Sequence, residues 1–129
     1  MSGEWCSGFF DGEGNIHLST QLALSITVVN TQKELLEPFL RYGGSINVRK
    51  GTGKPTYHTV YQWRIGGNNI IRNFIGDILP HILSKRNQEL FRLALEFLDY
   101  DYKQKGKTVM NRDSGQYERY YQQFKELHR

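Results

Sequence analysis

The sequence predicts an α+β fold: an αββαββα core built on a four-stranded antiparallel sheet, helices on one face, and further C-terminal helices. Three observations predict it. Two stretches alternate apolar and polar residues with period 2, each interrupted once by a turn, as antiparallel hairpins require. Apolar residues recur at helical spacing before, between and after those stretches. Each hairpin also has one oily face and one polar face, so a single layer of helices suffices to cover the sheet.

Residues 3–12 read as a short helix, with Trp5, Cys6, Phe9 and Phe10 apolar. Gly8 and Gly12 stand four apart on one face, small enough for another helix to approach closely. Gly12 and Gly14 are expected to end the helix through a left-handed glycine cap. Ile16 and Leu18, then Leu22, Leu24, Ile26 and Val28, spell the oily face of the first hairpin. Residues 30–44 read as a helix capped by Asn30 or Thr31, kinked at Pro38 and stopped by Gly43-Gly44. The second hairpin is SINVRK and YHTVYQWRI, joined by GTGKP. Its inward set is Ile46, Val48, Tyr57, Thr59, Tyr61, Trp63 and Ile65. From Asn68 the pattern is helical, over residues 68–83 and 84–104; residues 105–116 read as a loop and the remainder as a last helix.

The chain's 129 residues, 38% hydrophobic and 13% aromatic, fit one domain (residues 1–129) with a real core rather than a disordered chain. No apolar run is long enough to span a bilayer, and no export signal opens the sequence, so an intracellular protein with no membrane partner is expected. Cys6 is the only cysteine, which excludes an internal disulfide and a cysteine-based zinc site. Seventeen Lys+Arg against thirteen Asp+Glu leave a charge of +4, a balance that leans toward a polyanionic partner. The polar sheet face carries Asn, Gln, His, Arg, Ser and Thr instead of a Lys/Glu scatter. Such side chains hydrogen-bond base edges and phosphates, although an ordinary solvated face would accept them too.

The stretch GFFDGEGNI, residues 8–16, sets the chemical question. An EF-hand with Gly14 at its sixth position would have Phe9 at the first and Thr20 at the twelfth. Phenylalanine cannot ligate calcium and threonine cannot replace the bidentate glutamate, so that reading fails. Asp11 and Glu13 lie instead at the negative end of a helix dipole, where a carboxylate is unfavourable unless it binds a cation.

Residues 6–14, CSGFFDGEG, resemble the signature of the LAGLIDADG homing endonucleases: small residues before Gly8, two apolar positions, Asp11, Gly12, an acid at Glu13, then Gly14. VVNTQK resembles the family segment that supplies a polar active-site residue, here Gln32, and LPHILSKRNQ the segment with an active-site lysine, here Lys85. Taken alone, Gln32 reads as a first-turn polar residue and Lys85 as a solvated helix-terminal lysine. The resemblance covers residues 3–103 or so. The signature departs from the family in opening with Cys6-Ser7 where Leu-Ala is usual, and in carrying Glu where Asp is usual. Leu36 stands where some relatives have a basic residue, the first hairpin has a short loop, and nothing after Gly106 matches.

With one signature copy, the resemblance implies a homodimer packed through the signature helices at Ser7, Gly8, Asp11 and Gly12. It implies magnesium held by Glu13 and the Gly12 carbonyl, and catalysis by Glu13, Gln32 and Lys85. Double-stranded DNA would be the substrate, and no small molecule, cut on both strands at a long near-palindromic site. Asn15, His17, Ser19, Ser25, Thr27, Asn47, Arg49, His58, Gln62 and Arg64 would face its bases, with Lys103 and Lys105 on phosphates. The compartment would be a chloroplast or mitochondrion, or a bacterial or phage cytoplasm. A non-catalytic RNA maturase or DNA-binding protein on the same fold is the competing expectation.

Overall fold

The computed structural model describes residues 3–49, 59–105 and 114–128, of residues 105 and 114 the backbone only. Helix α1 (Gly3–Glu13) runs directly into strand β1 (Gly14–Leu18), followed by β2 (Leu24–Asn30), β3 (Ser45–Arg49) and β4 (Val60–Gly66). Helices α2 (Asn68–Ile78), α3 (Lys85–Lys105) and α4 (Ser114–Leu127) complete the chain. The strands form one antiparallel sheet in the order β1-β2-β4-β3, so the two hairpins join through their second strands. The expected α+β architecture is the one found.

Register sorts the residues by face. Ile16, Ile26 and Ile65 align across three strands, as do Val28, Trp63 and Ile46. All of these but the half-buried Ile46 are buried, because α1 and α2 lie over this face and α4 packs against β1. Aromatic rings fill the space between the layers. Phe74 sits 5.6 Å from Phe10, 5.5 Å from Trp63 and 6.2 Å from Phe91, and Trp63 stacks obliquely on Phe39 at 4.9 Å. Trp63 meets its one polar obligation by donating Nε1–H to the Gly43 carbonyl at 2.9 Å. Among the described residues, no helix is long and apolar enough to cross a membrane.

Several local expectations are corrected. Residues 30–44 do not form one α-helix. Asn30 ends β2, and the chain then makes two 3₁₀ helices, Lys33–Leu35 and Glu37–Tyr42. The buried side chains explain why: Leu36, Phe39 and Tyr42 recur every third residue, the 3₁₀ period, while Leu40 stays 43% exposed. The glycine stop is as expected, since Gly43 and Gly44 take φ of 99° and 76°. At Gly44 a side chain is also excluded by space, with the Arg64 carbonyl oxygen 2.2 Å from where a Cβ would lie.

Gly14 is required for a different reason from the one expected. It is the first residue of β1 and is not among the positive-φ glycines; a Cβ there would lie 2.1 Å from the Phe10 ring. Leu22 belongs to the β1–β2 turn, not to a strand, and takes the left-handed φ of 63° that leucine rarely adopts. The helical pattern over 68–83 divides at Pro80 into α2 and a 3₁₀ turn, Leu79–His81. Val48 keeps its inward parity opposite Tyr61 yet is 54% exposed, because β3 is an edge strand. Tyr57, His58 and the GTGKP connection lie outside the described residues. At the expected 105–116 loop, α3 extends to Lys105 and α4 begins at Ser114.

Candidate functional site

Three chain segments meet at the C-terminal end of α1. Glu13 is the last residue of α1 and is exposed. Its neighbour Gly14 pairs with Val28, so the exit of β2 and the exposed Gln32 beyond it lie at the same end of the sheet. Asn30 Oδ1 accepts the Gln32 backbone N–H at 2.8 Å and turns the chain there.

The third segment is held by Asp11. Its Oδ2 accepts the backbone N–H groups of Leu83 at 2.9 Å and Ser84 at 3.0 Å, and its Oδ1 accepts Asn87 Nδ2 at 2.8 Å. Asp11 thereby ties α1 to the two residues that precede α3 and to Asn87 in its first turn through charge-assisted bonds, while Ser84 is the N-cap of α3, its Oγ accepting the Asn87 N–H at 3.3 Å. Partial burial works to raise the Asp11 pKa, but the bonds from Asn87, Ser84 and Leu83 outweigh it and hold the carboxyl below its ordinary value. Lys85, the exposed first residue of α3, is carried to the base of α1 by this clamp. Glu13, Gln32 and Lys85, distant in sequence, thus come to one end of the molecule. The clamp itself was missed in the sequence, where no spacing ties Asp11 to Asn87.

The donors at the end of α1 are all oxygen. A helix leaves its last carbonyls without intrahelical partners, and the Glu13 carboxylate stands beside them. Hard divalent cations prefer that chemistry, so the residues fit magnesium. Among the described residues no three His, Cys, Asp or Glu side chains gather into a metal site. One copy of the chain therefore offers Glu13 as a single exposed acid at this helix end.

The face of α1 beside this site is open. A Cβ built at Gly8 or at Gly12 meets nothing within 4 Å. Ser7 is a correction to the expected dimer contacts: it is fully buried within the chain, donating its hydroxyl to the carbonyls of Gly3 at 2.7 Å and Ile78 at 3.1 Å. Asp11 is half-buried, and its carboxylate is engaged with α3.

The second surface is the uncovered sheet face. Asn15, Thr27, Arg64 and Ser45 form one cross-strand row, and Gln62 with Asn47 part of the next. His17 extends the face toward one edge and Arg49 toward the other, both exposed. None of the four strands contains Asp or Glu. Two of the expected readers have other surroundings. Ser25 is only 4% exposed, between His17 and Gly66 in the ladder, and offers no surface to a ligand. Ser19 is half-buried and spends its Oγ accepting the Ala23 N–H of the turn at 3.1 Å. Val29 and Val60 share this face, opposite Gln62 and Arg49; carrying the period-2 count through β2 and β4 identifies both. Lys103 is exposed in the last turns of α3, while His58 and the Lys105 side chain fall outside the described residues.

No protein-family model matches the chain, and no curated protein sequence does. Solved structures do. The homing endonuclease I-CvuI in complex with its target, in the presence of calcium, superposes with a TM-score of 0.73 at 18% identity, covering 97% of this chain and 80% of that one. The archaeal intron-encoded homing endonuclease I-Vdi141I, complexed with DNA, gives 0.68 at 15% identity over 97% and 82%. The homing endonuclease I-TnaI gives 0.63 at 18% identity over 98% of both chains. A LAGLIDADG homing endonuclease, I-GzeII, bound to its DNA target, gives 0.65 at 20% identity over 84% of this chain and 39% of that one. The sheet order, the open signature helix and these superpositions agree: the chain has the fold of the LAGLIDADG homing endonucleases.

Proposed function

We propose that the protein is a site-specific, magnesium-dependent DNA endonuclease that acts as a homodimer on a near-palindromic target. The observation that carries this reading is the exposed Glu13 carboxylate at the end of a helix whose glycine face is uncovered, beside an acid-free sheet face bearing Arg49 and Arg64. The DNA complexes of the superposed structures support it.

Two copies packed through Gly8 and Gly12 would bring two Glu13 carboxylates together at the dimer axis. Their mutual repulsion would be relieved by cations, and the Gly12 carbonyl adds a neutral oxygen from each copy. Magnesium held there supplies Lewis acidity, offsetting phosphate charge and making water a better nucleophile. Gln32 would orient a water through its amide, and the Lys85 ammonium would offset charge that grows on the phosphate in the transition state. Lys85 suits that task because it is held at a fixed place by the Asp11 clamp while its side chain remains free to reach. The sheet faces of both copies would lie along the major groove, where arginine and amide side chains read base edges. The compartment would be a chloroplast or mitochondrion if the protein is organelle-encoded, and otherwise a bacterial or phage-infected cytoplasm.

The test is a plasmid library of randomised palindromic sites incubated with protein and magnesium. The wild type is expected to cut a defined subset, and Glu13→Gln to bind the selected site without cutting it, since an amide is a poor magnesium ligand. Full cleavage by Glu13→Gln would overturn the assignment. Binding without cleavage by the wild type itself would favour the maturase or DNA-binding alternative.

A further inference from the structure

The outer edge of β1 carries a cleft of about 300 Å³ between the strand and α4, lined by His17, Leu18, Tyr121, Phe124, Lys125 and His128. Lys125 supplies a cation to this lining, His17 and His128 supply imidazoles, and none of the six side chains is acidic. We propose that this cleft holds a backbone phosphate of the duplex that lies on the sheet face. The inference rests on the DNA-binding reading above and assigns α4 a part in it.

Strand geometry sets what the β1 edge turns toward the cleft. Ser19 donates its backbone N–H to Ala23 across the turn at 3.0 Å, so the odd-numbered residues of β1 face β2. The Ile16 carbonyl accordingly points outward, where it meets His128 Nε2 at 2.6 Å. By the same alternation the Leu18 N–H faces the outer edge, but Leu18 is buried, so the groups of the cleft that an anion can reach are the exposed His17 and Lys125. His17 projects from the uncovered sheet face at the rim of the cleft, so one phosphate can be approached from both surfaces.

The wall opposite the strand is fixed. His128 Nε2 meets a carbonyl, which only accepts, and its Nδ1 meets Arg86 Nη2 at 3.3 Å, which only donates. The Nε2–H tautomer satisfies both. Arg86 also donates Nε–H to the Leu127 carbonyl at 2.5 Å, so the start of α3, the end of α4 and β1 are tied at one point. His128 is therefore an anchor, and the mobile donor is Lys125. Its Nζ rests 5.6 Å from the Tyr121 ring centre and forms no ion pair among the described residues. An ammonium placed over an aromatic ring is held near the rim while keeping its charge for a phosphate. The neighbouring cleft, near the β1–β2 turn, shares Tyr121 but includes Glu118, which would repel an anion. Charge thus selects the Lys125 end.

Phosphate contacts carry no sequence information, so an arbitrary duplex is a sufficient probe. Affinity is measured against salt concentration for the wild type, Lys125→Gln, Lys125→Arg and Arg119→Gln. Arg119 lies on the same helix, outside the cleft, and bonds Gln116. Lys125→Gln is expected to lower the log–log salt slope by about 0.9 for each phosphate no longer neutralised, so that from 50 to 200 mM salt it loses about 3.5-fold less affinity than the wild type. Lys125→Arg keeps the wild-type slope, and Arg119→Gln changes it less than Lys125→Gln does. Equal slope changes for Lys125→Gln and Arg119→Gln, or none for Lys125→Gln, would overturn the cleft while leaving the DNA reading in place. A wild type that binds no duplex at 50 mM salt overturns both.

Discussion

Asp11 and Gly14 show how single residues hold the site. Asp11 links α1 to α3 through three hydrogen bonds, and replacing it by alanine leaves the Leu83 and Ser84 N–H groups and Asn87 without that partner. Leaving part-buried donors without their partner costs about 1–3 kcal/mol, and Asp11→Ala should lower the denaturant midpoint accordingly. The acid limb has a definite sign. The Asp11 pKa is lower in the folded chain than its ordinary value of 3.8, so its contribution is complete above about pH 4 and is lost as pH falls through the native pKa. Asp11→Asn should lack that part of the acid transition, as read by urea titrations from pH 5 down to pH 2; an unchanged acid limb would contradict the clamp. At Gly14 the Phe10 ring occupies the space of a Cβ, 2.1 Å away. Gly14→Ala must displace that fully buried ring and is expected to destabilise by about 1–3 kcal/mol, the usual range for overpacking, measurable by chemical denaturation.

At the scale of elements, α1 has two roles on two faces. Cys6, Ser7 and Phe10 pack inward and hold it to the chain, while Gly8 and Gly12 face open space. A leucine at Gly12 therefore has room within one copy, and its better helix propensity should leave monomer stability unchanged or raised by up to about 1 kcal/mol. The same side chain would separate two packed signature helices. Gly12→Leu is expected to melt as a monomer at or above the wild-type temperature and to abolish self-association in sedimentation runs. A wild type that stays monomeric at micromolar concentration, with DNA or without, would remove the dimer from the proposal.

Across the whole molecule, charge and register combine. The strands carry arginine, histidine and amides on the uncovered face and no acid, and α4 adds Lys125 along the β1 edge. Arg64, in the row of Asn15 and Thr27, and Arg49, near the β3 end, both point to that face. Each is expected to pair with a guanine edge. Arg49→Ala or Arg64→Ala should weaken the selected site by about 1–3 kcal/mol and relax preference at one position in each half-site. The check is a binding profile over all single-base variants of that site. Uniform weakening across every variant would reassign these arginines to phosphates.

What the sequence determined by itself is local periodicity. Alternation suffices for the four strands and for the parity of the residues within β1, β2, β3 and β4, because a strand's side-chain period admits only two parities. The glycine face of α1 and the acid at Glu13 were legible for the same reason, each lying within one element. Tertiary structure decided the rest. Residues 30–44 read as an α-helix, yet Leu36, Phe39 and Tyr42 had to reach one core at threefold spacing, and the backbone tightened to 3₁₀. Gly14 looked like a cap and is a clearance for Phe10. Ser7 looked like a surface for a second copy and is bonded to Ile78, seventy-one residues away. The placing of Lys85 at the end of α1 that carries Glu13 depends on Asp11 finding the start of α3, and the cleft at the β1 edge on His128 finding that strand. Such contacts join segments whose spacing in the chain carries no period, so packing and hydrogen-bond satisfaction in three dimensions place them.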